Sequence, residues 1–298
     1  VTTTTSTSVT YSADPQTNTH RFRVRASNSA GTSNWSYTAT VATDPTGLSV
    51  TGTAQSEISL AWDGVRDAAG YEVLLAELSG GAAPDYSSEA TPAAAPYTIT
   101  GLEDGERYYA RVRATYSRAD SQLTNEVDAT TPLPAPTLDS LDAGTPQEIT
   151  IPYTLEDDST DGDVLIERSA DGGATWSEIA TVTDLSATAY TDTGLLDGQE
   201  YTYRLTRRTE HAETTSATVS AITILPAPTN LTAPTIGDTS VGYAWDATHN
   251  QGQTRVEYRR AGEGDNWTTY ETVDHETEAA TVDGLLTGEQ YEGRVVAQ

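Results

Sequence analysis

GLEDGERYYAR, at residues 101–111, is the stretch that decides the fold, because the chain repeats its pattern. The pattern is Gly-Leu, a glycine three residues after the leucine, a tyrosine three residues later, and an arginine after three more. It returns as GLLDGQEYTYR at residues 194–204 and as GLLTGEQYEGR at residues 284–294. The tyrosines recur at intervals of about 90 residues, which is the length of one small domain. The sequence is therefore a tandem array.

Each repeat is predicted to consist of β-strands. After Tyr108, the apolar Ala110 and Val112 alternate with Arg111 and Arg113, which is the period of a half-buried strand. Upstream of each repeat, apolar residues alternate in the same way around an aromatic residue, namely Trp62, Tyr153 and Trp245. Short alternating segments between Gly-, Pro- and Ser-rich turns are typical of an all-β chain.

The repeat resembles the corner between strands E and F of fibronectin type III domains. The resemblance implies tandem seven-stranded antiparallel immunoglobulin-like β-sandwiches. In that family a leucine fills the core, a glycine permits the turn, and a tyrosine hydroxyl bonds back to the corner backbone. The matching residues here are Leu102, Tyr108, Leu195, Tyr201, Leu285 and Tyr291. The resemblance also implies that Trp62 and Trp245 lie at the centres of two cores, with Tyr153 as a departure in the unit between them.

Short proline-rich stretches mark the predicted domain boundaries, and proline stiffens such joints. We expect the C-terminal part of one unit at residues 1–43, complete units at 44–131 and 132–225, and a unit lacking its last strand at 226–298. Such an array is expected to form a semi-rigid rod. The incomplete end units indicate an internal segment of a longer chain, with strand donation between subunits as the alternative.

The first, partial unit is expected to contain strands E, F and G. His20 occupies the position of the corner tyrosine, and Phe22 and Val24 follow it with the alternation of a core-facing strand.

The chain is strongly acidic, with 44 acidic residues, 16 basic residues and a formal net charge of -28. Every basic residue is arginine. High salt screens the self-repulsion of such a surface, so the composition favours an extreme halophile, with an ordinary acidic surface protein as the alternative. The charge argues against nucleic acid as a partner, because a phosphate backbone requires a basic surface.

Cysteine is absent from the sequence, which excludes disulfides and thiol chemistry. No apolar stretch reaches the roughly 18 residues of a membrane span, so this segment is not expected to insert into a membrane.

Charged residues of opposite sign recur on two neighbouring strands of each unit, strands C and F. The sequence predicts one cross-strand ion pair in each unit, worth a few tenths of a kcal/mol. The predicted pairs are Glu72–Arg111, Glu167–Arg204 and Glu257–Arg294.

Residues 169–176, SADGGATW, match the Asp-box pattern of sialidase-type propeller blades. In that pattern the aspartate bonds backbone N–H groups of a hairpin turn and the tryptophan packs beneath it. We expect Asp171 and Trp176 to have this structural role, without catalysis.

Asp157, Ser159 and Asp161 resemble the first half of a calcium-binding loop. The glutamate required at the twelfth position is replaced by Arg168. Calcium is the one cofactor that the sequence suggests, and a chance cluster in an acidic chain is the alternative.

Three glycosylation sequons begin at Asn34, Asn230 and Asn266. The four histidines have no metal-ligand spacing, and the sequence contains neither a nucleophile elbow nor a phosphate-binding loop. The sequence therefore predicts a protein that is not an enzyme.

The predicted function is a structural or adhesive rod segment of an extracellular assembly of a halophile. A virion tail fibre or baseplate component is the first expectation, and a cell-surface adhesin or filament protein is the second. Its partners would be protein subunits of that assembly and a host or neighbouring-cell surface. The alternative is a set of accessory spacer or carbohydrate-binding modules of a secreted polysaccharide-degrading enzyme.

Overall fold

A computed structural model of the chain describes residues 3–10, 19–36, 39–77, 84–117 and 120–298. These residues form antiparallel β-structure, and none of them lies in a helix.

The chain divides into two compact units. Unit 1 comprises Val1–Pro134 together with Asp157–Gly162 and Arg208–Thr214. Unit 2 comprises Ala135–Glu156, Asp163–Arg207 and Thr215–Gln298.

Unit 1 begins with two small antiparallel pairs. Strand β1 (Thr19–Phe22) pairs with β4 (Ala39–Ala42), and β2 (Ser27–Asn28) pairs with β3 (Gly31–Thr32). His20 lies on β1, opposite Val41.

The expectation that Phe22 and Val24 face a core is wrong. Phe22 is 37% exposed and Val24 is 71% exposed, because no second sheet covers them within the described part of this segment. The predicted strand E of this partial unit lies largely outside the described residues.

The first complete sandwich of unit 1 has seven strands, as the resemblance implied. One sheet has the order β5-β6-β9 and the other the order β11-β10-β7-β8. The strands are β5 (Thr46–Ala54), β6 (Glu57–Asp63), β7 (Gly70–Glu77), β8 (Ser87–Ala90), β9 (Tyr97–Thr100), β10 (Arg107–Thr115) and β11 (Val127–Thr130). Alternate residues of β6 and β10 are buried, and they form the core with Trp62, Ile99 and Leu102.

Most of the second sandwich belongs to unit 2. Its three-stranded sheet has the order β12-β13-β16, and its second sheet has the order β15-β14-β17-β18, with β19 also paired to β17. The strands are β12 (Thr137–Leu138), β13 (Glu148–Thr154), β14 (Asp163–Ser169), β15 (Ser177–Val182), β16 (Ala189–Thr193), β17 (Glu200–Arg208), β18 (Glu213–Thr215) and β19 (Val219–Ile222). Tyr153, Leu195 and Tyr203 are central to its core.

The third sandwich, also in unit 2, contains six strands in the described residues, in the orders β20-β21-β24 and β23-β22-β25. They are β20 (Thr229–Ile236), β21 (Ser240–Asp246), β22 (Gln253–Arg260), β23 (Thr268–Asp274), β24 (Ala279–Asp283) and β25 (Tyr291–Ala297). Its buried core is smaller than the other two and consists of Tyr243, Trp245, Val256, Val282 and Leu285.

Candidate functional site

The three corner tyrosines make the hydrogen bond that the resemblance implied. The hydroxyl of Tyr108 accepts from the backbone N–H of Glu103 at 3.0 Å. The hydroxyls of Tyr201 and Tyr291 accept from the N–H groups of Leu196 and Leu286, each at 3.1 Å. Burial raises the pKa of Tyr108 to about 12, so this hydroxyl stays protonated at neutral pH.

The corner leucines and glycines also have the predicted roles. Leu102, Leu195 and Leu285 are buried in their respective cores. The glycine before each leucine and the glycine three residues after it adopt positive φ, for example 76° at Gly101 and 73° at Gly105. A residue with a side chain would be strained at such angles.

Two buried aspartates inside the corners were missed in the sequence. Asp104 is fully buried and Asp197 is almost so, and each stands directly before the second corner glycine. The Asp104 carboxylate accepts from the N–H of Ser56 at 2.7 Å and from the amide of Gln55 at 3.1 Å. The signal was present as Asp-Gly in two of the three repeats, where the third repeat has Thr287.

Two of the three predicted cross-strand ion pairs are confirmed. Arg204 Nε lies 2.7 Å from Glu167 Oε2, and Arg294 Nε lies 2.5 Å from Glu257 Oε2. Glu257 is buried, and burial alone would raise its pKa, but Arg294 and Arg255 lower the pKa below its ordinary value.

The predicted pair Glu72–Arg111 is wrong. Leu74 lies opposite Arg111 in the observed register, and Glu72 lies opposite Arg113, with 2.5 Å between Arg113 Nε and Glu72 Oε2. Arg111 instead binds Glu126 on the other side, at 3.2 Å. The glutamate of the first sandwich therefore stands two residues earlier on its strand than a partner of Arg111 would.

Tryptophans outside the cores lie beneath these arginines. The guanidinium of Arg204 is 4.3 Å from the ring centroid of Trp176, and those of Arg259 and Arg294 are each 4.3 Å from that of Trp267. Such contacts are favourable cation–π interactions. They also cover ring surface that a sugar would otherwise stack against.

The turn at residues 169–176 has the hydrogen bonds expected of a structural turn. The Asp171 carboxylate accepts from the Thr175 N–H at 2.9 Å and from the Thr175 hydroxyl at 2.6 Å. The Ser169 hydroxyl donates to the same carboxylate at 2.7 Å. These bonds lower the pKa of Asp171 to about 2. Gly172 and Gly173 supply positive φ, and Trp176 is half-buried against the turn.

The candidate calcium residues lie in the segment Asp157–Gly162 of unit 1. Ser159 is buried, and its hydroxyl accepts from the N–H of Asp161 at 3.3 Å. Within the described ranges, no three acidic or histidine side chains converge to hold a metal ion. Calcium binding by Asp157, Ser159 and Asp161 stays a prediction.

The three sequon asparagines are exposed, but their amides differ. The side-chain amide of Asn230 donates to Asp246 Oδ2 at 2.6 Å, and that of Asn266 donates to the Glu263 carbonyl at 3.2 Å. No hydrogen bond to the Asn34 side chain is found among the described residues. Glycosylation of the three asparagines stays a prediction.

No helix in the described part of the chain is long and apolar enough to cross a membrane.

The repeated corner, the buried aromatic residue of strand B (β6, β13 and β21) and the two antiparallel sheets of each sandwich define a tandem array of immunoglobulin-like sandwiches. The family model "Fibronectin type III domain" matches residues 43–130 and 226–298, more than half of the chain. The chain therefore belongs to the fibronectin type III family.

Similar proteins come from two different settings. The chain is 27% identical over 268 residues to Exoglucanase B of Cellulomonas fimi, covering 81% of this chain and 23% of that protein. It is 29% identical over 206 residues to Tenascin-R of Gallus gallus, covering 67% of this chain and 14% of that protein. The chain thus spans less than a quarter of the length of either relative.

A solved structure of a two-domain fibronectin type III segment from chicken tenascin has the same fold. It superposes with a TM-score of 0.51 at 20% identity, covering 61% of this chain and all of that segment.

Proposed function

We propose that the chain is a non-catalytic spacer segment of a larger extracellular assembly. The observation that carries the proposal is the repetition of one corner in three consecutive sandwiches of a fibronectin type III chain. The proposal is also supported by two relatives, because the matching segment is a minor share of each of those proteins. Its partners would be protein subunits of that assembly and a host or neighbouring-cell surface, and the net charge argues against nucleic acid.

The proposed division into domains is residues 1–43, 44–131, 132–225 and 226–298. The proline-rich stretches at these boundaries and the three separate hydrophobic cores support it. Limited proteolysis of the full chain followed by mass spectrometry should release fragments that end near residues 44, 132 and 226. Stable fragments that begin inside a core strand would contradict this division.

The assembly is proposed to belong to an extreme halophile, as a virion tail fibre or baseplate component, or else as an adhesin or filament protein. The formal net charge of -28 and the absence of lysine support this setting. At molar concentration, salt shortens the range of carboxylate repulsion to a few ångströms. The melting temperature should therefore rise steeply between about 0.1 M and 2 M potassium chloride. A melting temperature that is flat or falls over this range would contradict the halophile origin.

The second candidate is a set of accessory modules of a secreted polysaccharide-degrading enzyme. The match to Exoglucanase B over 81% of the chain favours it. The arginines stacked over Trp176 and Trp267 count against a sugar-binding platform there. Trp35 is the most exposed of these tryptophans at 41%, although Arg23 and Arg25 also lie over its ring.

Sedimentation of the full chain with insoluble cellulose, chitin and xylan tests the carbohydrate-binding form of the second candidate. A spacer should remain in the supernatant with all three. Binding to one polysaccharide that is lost in the Trp35→Ala variant and kept in Trp176→Ala would establish a carbohydrate-binding role instead.

A further inference from the structure

The corner of the second sandwich holds a loop of the third. The N–H of Asp197 donates to Asn250 Oδ1 at 2.8 Å, and the N–H of Asn250 donates to Asp197 Oδ2 at 2.7 Å. The side-chain amide of Asn250 also donates to the carbonyl of Leu195 at 2.9 Å. The side chain of Gln251 donates to the carbonyl of Asp197. All of these residues belong to unit 2.

An equivalent contact is found within unit 1. The N–H of Asp104 donates to Asp158 Oδ1 at 2.9 Å, and the Ser56 hydroxyl lies 3.4 Å from Asp158 Oδ2. Asp158 and Asn250 occupy the same place in their sandwiches, because each follows the buried strand-B aromatic, Tyr153 or Trp245, by five residues. The donor is in both cases the backbone N–H of the corner aspartate.

We call the Asp104–Asp158 contact the Asp clip and the Asp197–Asn250 contact the Asn clip. They differ in charge. Asn250 both accepts and donates, whereas an ionised Asp158 can only accept. In the Asp clip one hydroxyl, that of Ser56, serves Asp104 Oδ1 at 3.1 Å and Asp158 Oδ2 at 3.4 Å, although it has a single proton. The two carboxylates therefore share this one hydroxyl proton.

The surroundings of the Asp clip add negative charge. Glu106, two residues after Asp104, is buried, and its Oε1 has no hydrogen-bond partner among the described residues. Its Oε2 lies 4.0 Å from His211 Nε2. Burial raises the pKa of Glu106, His211 opposes this, and Glu77, Asp161 and Glu103 raise it further. Asp158 itself is exposed, so salt weakens its repulsion from the carboxylates around the clip.

We propose that both contacts are clips that fasten a sandwich corner to the next B–C loop, and that salt closes the Asp clip but leaves the Asn clip unchanged. The partner of each corner is thus a loop of another sandwich, and in both clips the backbone N–H of the corner aspartate donates to that loop. Whether a clip responds to ionic strength is set by one loop residue, which is the acid Asp158 in the Asp clip and the amide Asn250 in the Asn clip. The inference does not depend on the proposed role of the assembly, and its failure would leave that role untouched.

Reciprocal substitutions test the proposal in the full chain. Asp158→Asn gives the first joint the amide of the second, and Asn250→Asp gives the second joint the acid of the first. Residue-resolved amide hydrogen exchange is measured at about 0.1 M and 2 M potassium chloride, where the screening length falls from about 10 Å to a few ångströms. The amides of Glu103 and Leu196, which bond to Tyr108 and Tyr201 within their own sandwiches, are the internal controls.

In the parent chain, exchange of the Asp104 amide relative to Glu103 should slow about tenfold at high salt, and that of Asp197 relative to Leu196 should not change. Asp158→Asn should slow the Asp104 amide at low salt and remove its salt response, whereas Asn250→Asp should create a salt response at Asp197. The proposal is overturned if the Asp104 amide exchanges at its unprotected rate in both salts, or if the reciprocal variants respond like the parent.

Discussion

The first and second sandwiches have the same corner motif, but the side chains inside them differ. Three residues before the corner leucine, the first sandwich has Ile99 and the second has Asp192, and both side chains are buried. Two residues after the corner tyrosine, the first has Ala110 and the second has Tyr203. The corner therefore specifies the strand connection, whereas the position before it holds an apolar residue in one sandwich and a hydrogen-bonded aspartate in the other.

The polar side chains inside the second sandwich form a compact hydrogen-bonded network. Arg168 Nη1 lies 3.1 Å from Asp192 Oδ1 and 3.0 Å from Oδ2, and the Tyr203 hydroxyl donates to Asp192 Oδ2 at 2.8 Å. Burial, followed by the neighbouring carboxylate, raises the pKa of Tyr203 far above its ordinary value. The first sandwich instead packs Trp62 against Tyr71, with 5.3 Å between the ring centroids.

The largest effect is expected from removing the aromatic centre of the first sandwich. Trp62→Ala should destabilise that sandwich by about 3–5 kcal/mol, because it leaves a cavity in a packed core. Amide exchange in strands β6 and β10 should accelerate strongly, whereas protection in β13 and β17 should not change. Equal loss in both sandwiches would mean that they unfold as one cooperative unit.

A comparable effect is expected from breaking the polar network of the second sandwich. Asp192→Ala leaves a buried hydroxyl and a partly buried guanidinium without their acceptor, at a cost of about 3–5 kcal/mol. Asp192→Ile combined with Tyr203→Phe and Arg168→Leu, which imitates the apolar solution, should recover most of that loss. Urea unfolding of the parent chain, the single variant and the triple variant measures both values. If the single variant costs no more than the triple variant, the apolar residues do not replace the network.

The corner tyrosines come next in size. Tyr108→Phe and Tyr201→Phe should each cost about 1 kcal/mol, the worth of one partly buried hydrogen bond. Tyr291→Phe should cost less, because its hydrogen bond to Leu286 is exposed. Exchange of the Glu103, Leu196 and Leu286 amides reports each loss directly. A larger effect at Tyr291 than at Tyr108 would contradict this ranking.

The smallest effect concerns the turn closed by Asp171. Its hydrogen bonds hold the pKa at about 2, below the ordinary value of 3.8. A lowered carboxyl pKa in the folded state stabilises the protein above the unfolded pKa, and this contribution disappears as the pH falls from about 4 through about 2. The stability difference between the parent chain and Asp171→Asn should therefore shrink over this window. A stability difference that does not change with pH would show that the charge of the Asp171 carboxylate does not stabilise the fold.

Local sequence patterns predicted the features that depend on near neighbours along the chain. The corner requires Gly, Leu and Tyr at fixed short spacings, so the resemblance of the repeat to fibronectin type III domains implied the bonds of Tyr108, Tyr201 and Tyr291. Pairing across strands depends on register, which is set by loop lengths and bulges, and the partner of Glu72 was accordingly two residues away from the predicted one.

Features that depend on contacts between distant segments could not be predicted in this way. Asp104 meets Ser56 and Asp158, which are 48 and 54 residues away in the chain, and Asp192 meets Arg168 from another strand. The repeated Asp-Gly marks Asp104, but its distant partners cannot be read from that dipeptide, and in so acidic a chain nothing in the local sequence distinguishes Asp192 from the solvated aspartates. Phe22 and Val24 show a different limit of local patterns. Apolar residues at alternate positions predict a core-facing strand, but both side chains are exposed in the described structure.

Cryo-electron microscopy of the native particle or filament that contains this chain tests the central claim most directly. The spacer proposal predicts that the chain lies in a symmetric assembly, with its sandwiches in sequence and neighbouring subunits against them. A flexible, monomeric array tethered to a separate catalytic domain would contradict it and establish the accessory-module alternative.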